Sequence, residues 1–326
     1  MNILIVYNGI VPATLYGGTE RVIWYLGHEL VKLGHKVTFL VHKGSHCPFA
    51  KVIYRDSTQP LSNQIPQDTD LVHFNAPADS SIKQPYIVTE HGNRKQDFVF
   101  DRNTVFVSKN HAERYNSNSY VHNGLDWDDY GKCDLNCKRE YYHFLGKAAW
   151  RVKNVQGAIQ VAKQLRNEKL YVLGGTRLNI KMGFRLTLSP KIRFKGMVGG
   201  EKKLRLLNRS KGLIFPIRWH EPFGLAITES LYFGAPVFGT PYGSLPELVT
   251  PEVGFLSNSA QELVEHIQST SYDPKIAHEY ALENFNSAVM AREYLKKYEQ
   301  ILNGNDLNNI TPKLKEVNPN KFLPWK

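Results

Sequence analysis

The feature that most constrains this chain is an alternation of short apolar runs with amphipathic stretches of helical period. The run Ile3–Tyr7 is followed by "TERVIWYLGHELVKLG" and then by Lys36–Val41, which predicts a βαβ unit. Further strand-like runs lie at Leu71–Phe74, Tyr86–Thr89, Thr104–Val107 and Tyr120–His122, with a helix-like "SKNHAERY" among them. Together they predict one open parallel sheet. A second alternation starts at "EYYHFLG" and runs through "NVQGAIQVAKQL", "KLYVLGG", a basic helix, "GLIFP", a helix over Phe223–Phe233 and "PVFG". It predicts a second doubly wound α/β domain.

The chain has 326 residues, more than one core usually serves, so two domains are expected. The polar, turn-rich stretch Asp126 to Lys138 places the boundary: residues 1–137 form the first domain and 138–285 the second. Residues 286–326, a helix and a proline-broken tail, are expected to pack back on the first domain, the tail extended over the surface. Open α/β sheets bind ligands beyond the carboxyl ends of their strands, which places the expected site in a cleft between the two domains.

Composition excludes little else. The start "MNILIVYNG" lacks the basic region and cleavage site of a signal peptide, and no apolar run reaches the roughly 18 residues of a membrane helix. A cytoplasmic protein is expected, with peripheral contact at the inner membrane face left open. Cys47, Cys133 and Cys137 cannot all pair with one another, and "CDLNC" lacks a second ligand pair at zinc-finger spacing. The formal charge of +11 suits any polyanion. Its densest stretch, "GGEKKLRLLNRSK", reads as a surface helix with a solvated basic face.

The chemistry concentrates in "HEPFGLAITESLYFGAPV", from His220 to Val237. Pro222 suits a first helical turn, and Gly224 permits close approach of a ligand to backbone donors. With Phe223 and Leu225 they suggest a helix N-terminus that accepts an anion. Glu221 before the helix and Glu229 about two turns inside it would stand about 10–12 Å apart, a span that suits paired hydroxyls of a sugar and of a ribose. The plainer reading is a charge at a helix start and a solvated glutamate. Lys147, Arg151 and Lys153 in "FLGKAAWRVKN" follow a strand end, from which a lysine can meet a diphosphate; alone they are equally a solvated loop.

"PIRWHEPFGLAITESLYFGAPVFGTPYGSLPELV", with its two spaced glutamates, resembles the signature of retaining glycosyltransferases of family four, which have the GT-B fold. "YGGTERVIWYLGHELVKLGHKVTFLV", "HNGLD" and "FLGKAAWRVKN" resemble that family's first loop, helix and second strand, its "PNGVD" turn and its donor-phosphate loop. The resemblance runs to about Val249 and implies two Rossmann-like domains facing a central cleft. It implies that Glu221 contacts the transferred sugar, that Glu229 holds the ribose hydroxyls, and that Phe223, Gly224 and Leu225 bind sugar and phosphate through their backbone. Lys147 and Lys153 would be the basic pair, Gly17 and Gly18 would face donor phosphates or acceptor, and His91 in "TEHG" would line the cleft near the reacting carbon.

Two departures are visible: Lys147 stands where the family has arginine, and Asn154 where it has glycine. The implied reaction is metal-independent hexosyl transfer with retention, without a cofactor, in polysaccharide or glycoconjugate biosynthesis. The expected donor is a UDP-sugar, with GDP- and ADP-sugars open, and the acceptor is a glycan, a lipid-linked molecule or a small molecule. The run Asp126, Asp128, Asp129 reads as a surface turn rather than a metal site. Alternatives are a nucleotide-sugar epimerase or phosphorylase of the same shape. A basic nucleic-acid-binding protein is disfavoured because no aromatic-basic recognition motif is present, and a dinucleotide fingerprint is absent after the first strand.

Overall fold

The computed structural model describes residues 1–13, 17–78, 81–180, 182–317 and 320–326. The chain divides into two compact units, Met1–Asp126 with Phe285–Val317, and Trp127–Asn284 with Asn318–Lys326.

In the first unit the strands β1 (Asn2–Val6), β2 (Lys36–Val41), β3 (Lys51–Tyr54), β4 (Leu71–Phe74), β5 (Tyr86–Glu90) and β6 (Thr104–Phe106) form a six-stranded sheet. Its order is β3-β2-β1-β4-β5-β6, and every pair is parallel. Ile3 to Val6 are buried without interruption, as a strand covered on both faces requires. Helix α1 (Gly18–Lys32) buries Val22, Ile23, Leu26 and Leu30 along one stripe. Ser108 caps α2 (Lys109–Arg114) by accepting from the His111 N–H. Tyr120 makes only an isolated bridge to Phe106, so the expected last strand does not form. The helix Ser287–Leu302 belongs to this unit because Tyr298 and Tyr294 reach a buried polar chain: the Tyr298 hydroxyl lies 2.8 Å from Nδ1 of His73, whose Nε2 meets Thr89, and Thr89 meets Tyr294.

The second unit repeats the plan. Strands β7 (Tyr141–Leu145), β8 (Leu170–Leu173), β11 (Ile192–Phe194), β12 (Ser210–Phe215), β13 (Val237–Gly239) and β14 (Gly254–Leu256) form a parallel sheet ordered β11-β8-β7-β12-β13-β14. The hairpin β9 (Leu178–Asn179) and β10 (Arg185–Leu186) stands outside it. Helices α3 (Val155–Gln164), α4 (Gly200–Asn208), α5 (Leu225–Tyr232), α6 (Leu245–Leu248), α7 (Ala260–Ser269) and α8 (Pro274–Asn284) complete it. In each sheet the strand order reverses at one point, between β1 and β4 and between β7 and β12, where such sheets open a crevice.

The chain passes between units at Asp126–Trp127, earlier than the expected break after residue 137. Trp127 stacks flat on Tyr232 at 4.4 Å and so joins the second core, an anchor concealed in a stretch that reads as polar linker. The tail also differs. The Leu323 N–H donates to the Arg218 carbonyl and the Leu323 carbonyl accepts from the Arg218 Nε, and the Lys326 backbone bonds Asn258 and Ala260, so residues 320–326 lie on the second unit rather than the first. Residues 318 and 319 of that tail are outside the described residues.

Candidate functional site

In the second unit, the loops after β7 and after β12 leave neighbouring parallel strands on either side of the reversal point. The first carries Lys147 to Lys153 and ends at Asn154, which adopts φ 54°, ψ 51°. Asparagine tolerates this left-handed geometry. Asn154 therefore serves where glycine would, caps α3 by accepting from the Gly157 N–H at 3.0 Å, and donates to the Pro216 carbonyl at 2.8 Å. The departure at this position thus ties the two loops together. Across them, Lys153 Nζ lies 2.5 Å from Glu221 Oε2, which also accepts from Trp219 Nε1 at 2.9 Å. The Lys153 ammonium is 5.2 Å from the Phe215 ring and 5.1 Å from that of Trp219, so an aromatic wall shields the pair. Lys147 Nζ stands 5.1 Å over the Trp150 ring.

The turn from Glu221 to Gly224 precedes the helix. Helix α5 begins at Leu225, with Gly224 at φ 90° as its cap, so Pro222 lies outside the helical turn expected to hold it and Glu229 is only one turn in. The left-handed Gly224 redirects the chain just before the helix starts, shifting the boundary by two residues from the expected one. Phe223 is buried, and its carbonyl accepts from the Ser244 hydroxyl at 2.5 Å. Gly243, at φ 63°, lies so close beneath the turn that a Cβ there would come within 2.2 Å of the Glu221 nitrogen. The segment after β13 therefore braces the turn, and the Ile227 N–H closes the first turn of α5 on the Gly224 carbonyl at 2.9 Å.

Glu229 is not a solvated helix residue. It is buried, and its Oε1 takes the Tyr130 hydroxyl and Lys203 Nζ, each at 2.6 Å. Lys203 belongs to the basic helix expected to be solvated, yet its side chain is largely buried. The sequence carried one signal for this: Lys203 lies four residues before Leu207, the buried residue of α4, and so on the same face. Beneath α5, His143 holds Ser210 and Ser230 through its two nitrogens, and desolvation pushes it down to about 3 despite the nearby Glu229 charge.

The remaining expected site residues lie in the first unit. Gly17 caps α1 and is buried, with no room for a Cβ between Ala13 and Glu20, and Gly18 opens the helix. Glu20 in turn accepts from the Tyr7 hydroxyl at 2.7 Å. His91 follows β5 and meets Asn75 Oδ1, after β4, at 2.8 Å. Desolvation and then the Arg94 charge lower its pKa to about 4, so it is neutral at physiological pH. Asp126 sits 3.3 Å from Lys32 Nζ, and among the described residues no group of three potential metal ligands occurs.

Residues 130–284 match the family described as Glycosyl transferases group 1. The chain is 28% identical over 106 residues to a trehalose synthase of Pyrococcus horikoshii, a match covering 31% of this chain and 26% of that relative's length. Among solved structures, AviGT4, a glycosyltransferase involved in avilamycin A biosynthesis, aligns with a TM-score of 0.75 at 19% identity over 93% of this chain and 98% of its own. Anabaena HepE, solved in complex with UDP-glucose, aligns with a TM-score of 0.67 at 16% identity over 92% of this chain and 100% of its own. The two parallel-sheet units are thus the Rossmann-like domains of the GT-B fold, and the second carries the stretch that matches Glycosyl transferases group 1.

Proposed function

We propose that this protein is a retaining glycosyltransferase that moves a hexosyl group from a nucleotide-diphosphate sugar to an acceptor hydroxyl. The observation that carries the reading is the Lys153–Glu221 pair, which joins the loops on either side of the reversal point of the matched unit. An ammonium has three donors, and Glu221 takes one on a single oxygen. The others serve the leaving diphosphate, and Glu221 Oε1 accepts from a hydroxyl of the transferred sugar. Lys147 adds charge on the same loop, the backbone of Phe223, Gly224 and Leu225 supplies donors, and Glu229 binds the ribose hydroxyls.

In the proposed step the bond from the anomeric carbon to the phosphate oxygen breaks, and the acceptor oxygen bonds to that carbon from the same face. The acceptor's proton passes to the leaving phosphate oxygen. The lysines and the α5 N-terminus stabilise the departing charge, so no metal is called for. His91, neutral and oriented by Asn75, and the Gly17–Gly18 helix start act on the sugar or acceptor side. A UDP-sugar is the proposed donor, as HepE binds UDP-glucose, and a glycan, lipid-linked or small-molecule acceptor receives the sugar.

The test is thermal unfolding against UDP, GDP and ADP and their sugar conjugates, since ligand at 100 times its Kd adds about 2.7 kcal/mol. A shift with the uridine set alone supports the reading, and nucleotide release from the sugar conjugate only when an acceptor is present separates transfer from epimerisation. No shift with any of these ligands overturns it.

A further inference from the structure

We propose that the β9–β10 hairpin docks the protein on an anionic lipid surface. Leu178 pairs with Leu186 and Asn179 with Arg185, so the pleat sets the leucines on one face and the polar pair on the other. The orientation is the reverse of what water asks. Ile180, Phe184 and Leu188 are 74, 72 and 79% exposed, whereas Arg185 and Thr187 are 8 and 5% exposed. Arg185 points inward, its guanidinium 4.7 Å from the Phe194 ring and bonded to the Thr176 carbonyl. Among the described residues, nothing buries the outward apolar face.

Charge selects the occupant. From Lys169 to Gly200 the chain carries six lysines and arginines besides the inward-turned Arg185, and no aspartate or glutamate. A second copy of this chain would bring two such segments together against their repulsion. Acyl chains ask for no hydrogen bond, and basic residues beside an apolar face are what an anionic bilayer surface attracts. The hairpin turn also abuts the candidate site's loop, since a Cβ at Gly183 would lie 3.6 Å from Arg151 Cδ. Docking therefore presents that loop close to the lipid surface, a property independent of which sugar is moved.

The test is flotation with phosphatidylcholine vesicles, with and without phosphatidylglycerol, of the wild type and the triple variant Ile180→Ser, Phe184→Ser, Leu188→Ser. The wild type should float with the anionic vesicles and detach as salt rises, and the variant should bind at least about tenfold less. Both should show the same thermal unfolding and nucleotide affinity, which separates loss of docking from loss of fold or site. Equal flotation of the two proteins, no flotation of the wild type, or equal binding to neutral vesicles overturns the proposal. A concentration-dependent dimer of the wild type that the variant lacks assigns the face to a second copy and also overturns it.

Discussion

Lys153 and Glu221, 68 residues apart in the chain, hold their charges 2.5 Å apart behind the rings of Phe215 and Trp219. Removing one partner leaves the other's charge in a poorly solvated place. Lys153→Met should cost about 3 kcal/mol of stability and lower turnover, while the double variant with Glu221→Gln should cost less than the two single changes summed. Denaturant unfolding of the four proteins gives the coupling; additive losses would remove the pair as a structural unit.

Glu229→Gln should weaken nucleotide affinity at least about tenfold, or about 1.4 kcal/mol, as measured by calorimetric titration. Lys203→Met should act in the same direction through the carboxylate it orients, raising KM more than it lowers kcat. Unchanged affinity in Glu229→Gln removes the ribose role.

Gly243→Ala combines a left-handed backbone with a Cβ that collides with the Glu221 nitrogen. We expect a loss of about 2–4 kcal/mol and a displaced donor turn, seen as lowered Tm together with weakened nucleotide binding. A neutral substitution would mean that the turn is not braced from below.

Acid should unfold the first unit preferentially. His73, His91 and His111 are lowered to about 3, 4 and 3, chiefly by desolvation, and in the second unit His143 is lowered to about 3. Their native pKa values lie below the unfolded value of 6.5, so the unfolded chain binds more protons between these limits. The stabilisation is complete above pH 6.5 and is lost as pH falls toward 4 and then 3, with each histidine contributing of order 1 kcal/mol by pH 5. Hydrogen exchange at pH 7 and pH 5 should show the larger loss of protection in the first unit.

Transfer should persist in excess chelator. Loss of activity restored by one divalent cation would overturn the metal-free reading and redirect attention to Asp126, Asp128 and Asp129.

The long strands announced themselves because burial on both faces demands unbroken apolar runs, as in Ile3–Val6. Of the edge strands, Thr104–Phe106 did so too, but the other three did not. Lys51–Tyr54 is partly exposed, and Ile192–Phe194 and Gly254–Leu256 are too short to show a period. Tyr120–His122 has strand-like composition but makes only one bridge. At the candidate site, Glu221, Glu229 and Lys153 were legible from motif and strand-end position. Their partners were not: Tyr130 lies 99 and Lys203 26 residues from Glu229, too far for a local pattern beyond the helical face Lys203 shares with Leu207, and Trp219, two residues from Glu221, reads as an ordinary aromatic.

The order of synthesis gives the interrupted path of the chain a consequence. The first unit lacks the Tyr294 and Tyr298 anchors of its sheet until residue 302 has been made, and the second lacks the Leu323 and Lys326 contacts until residue 326 is in place. During synthesis the sheet of residues 1–126 therefore waits for Tyr294 and Tyr298 before its buried polar chain can close.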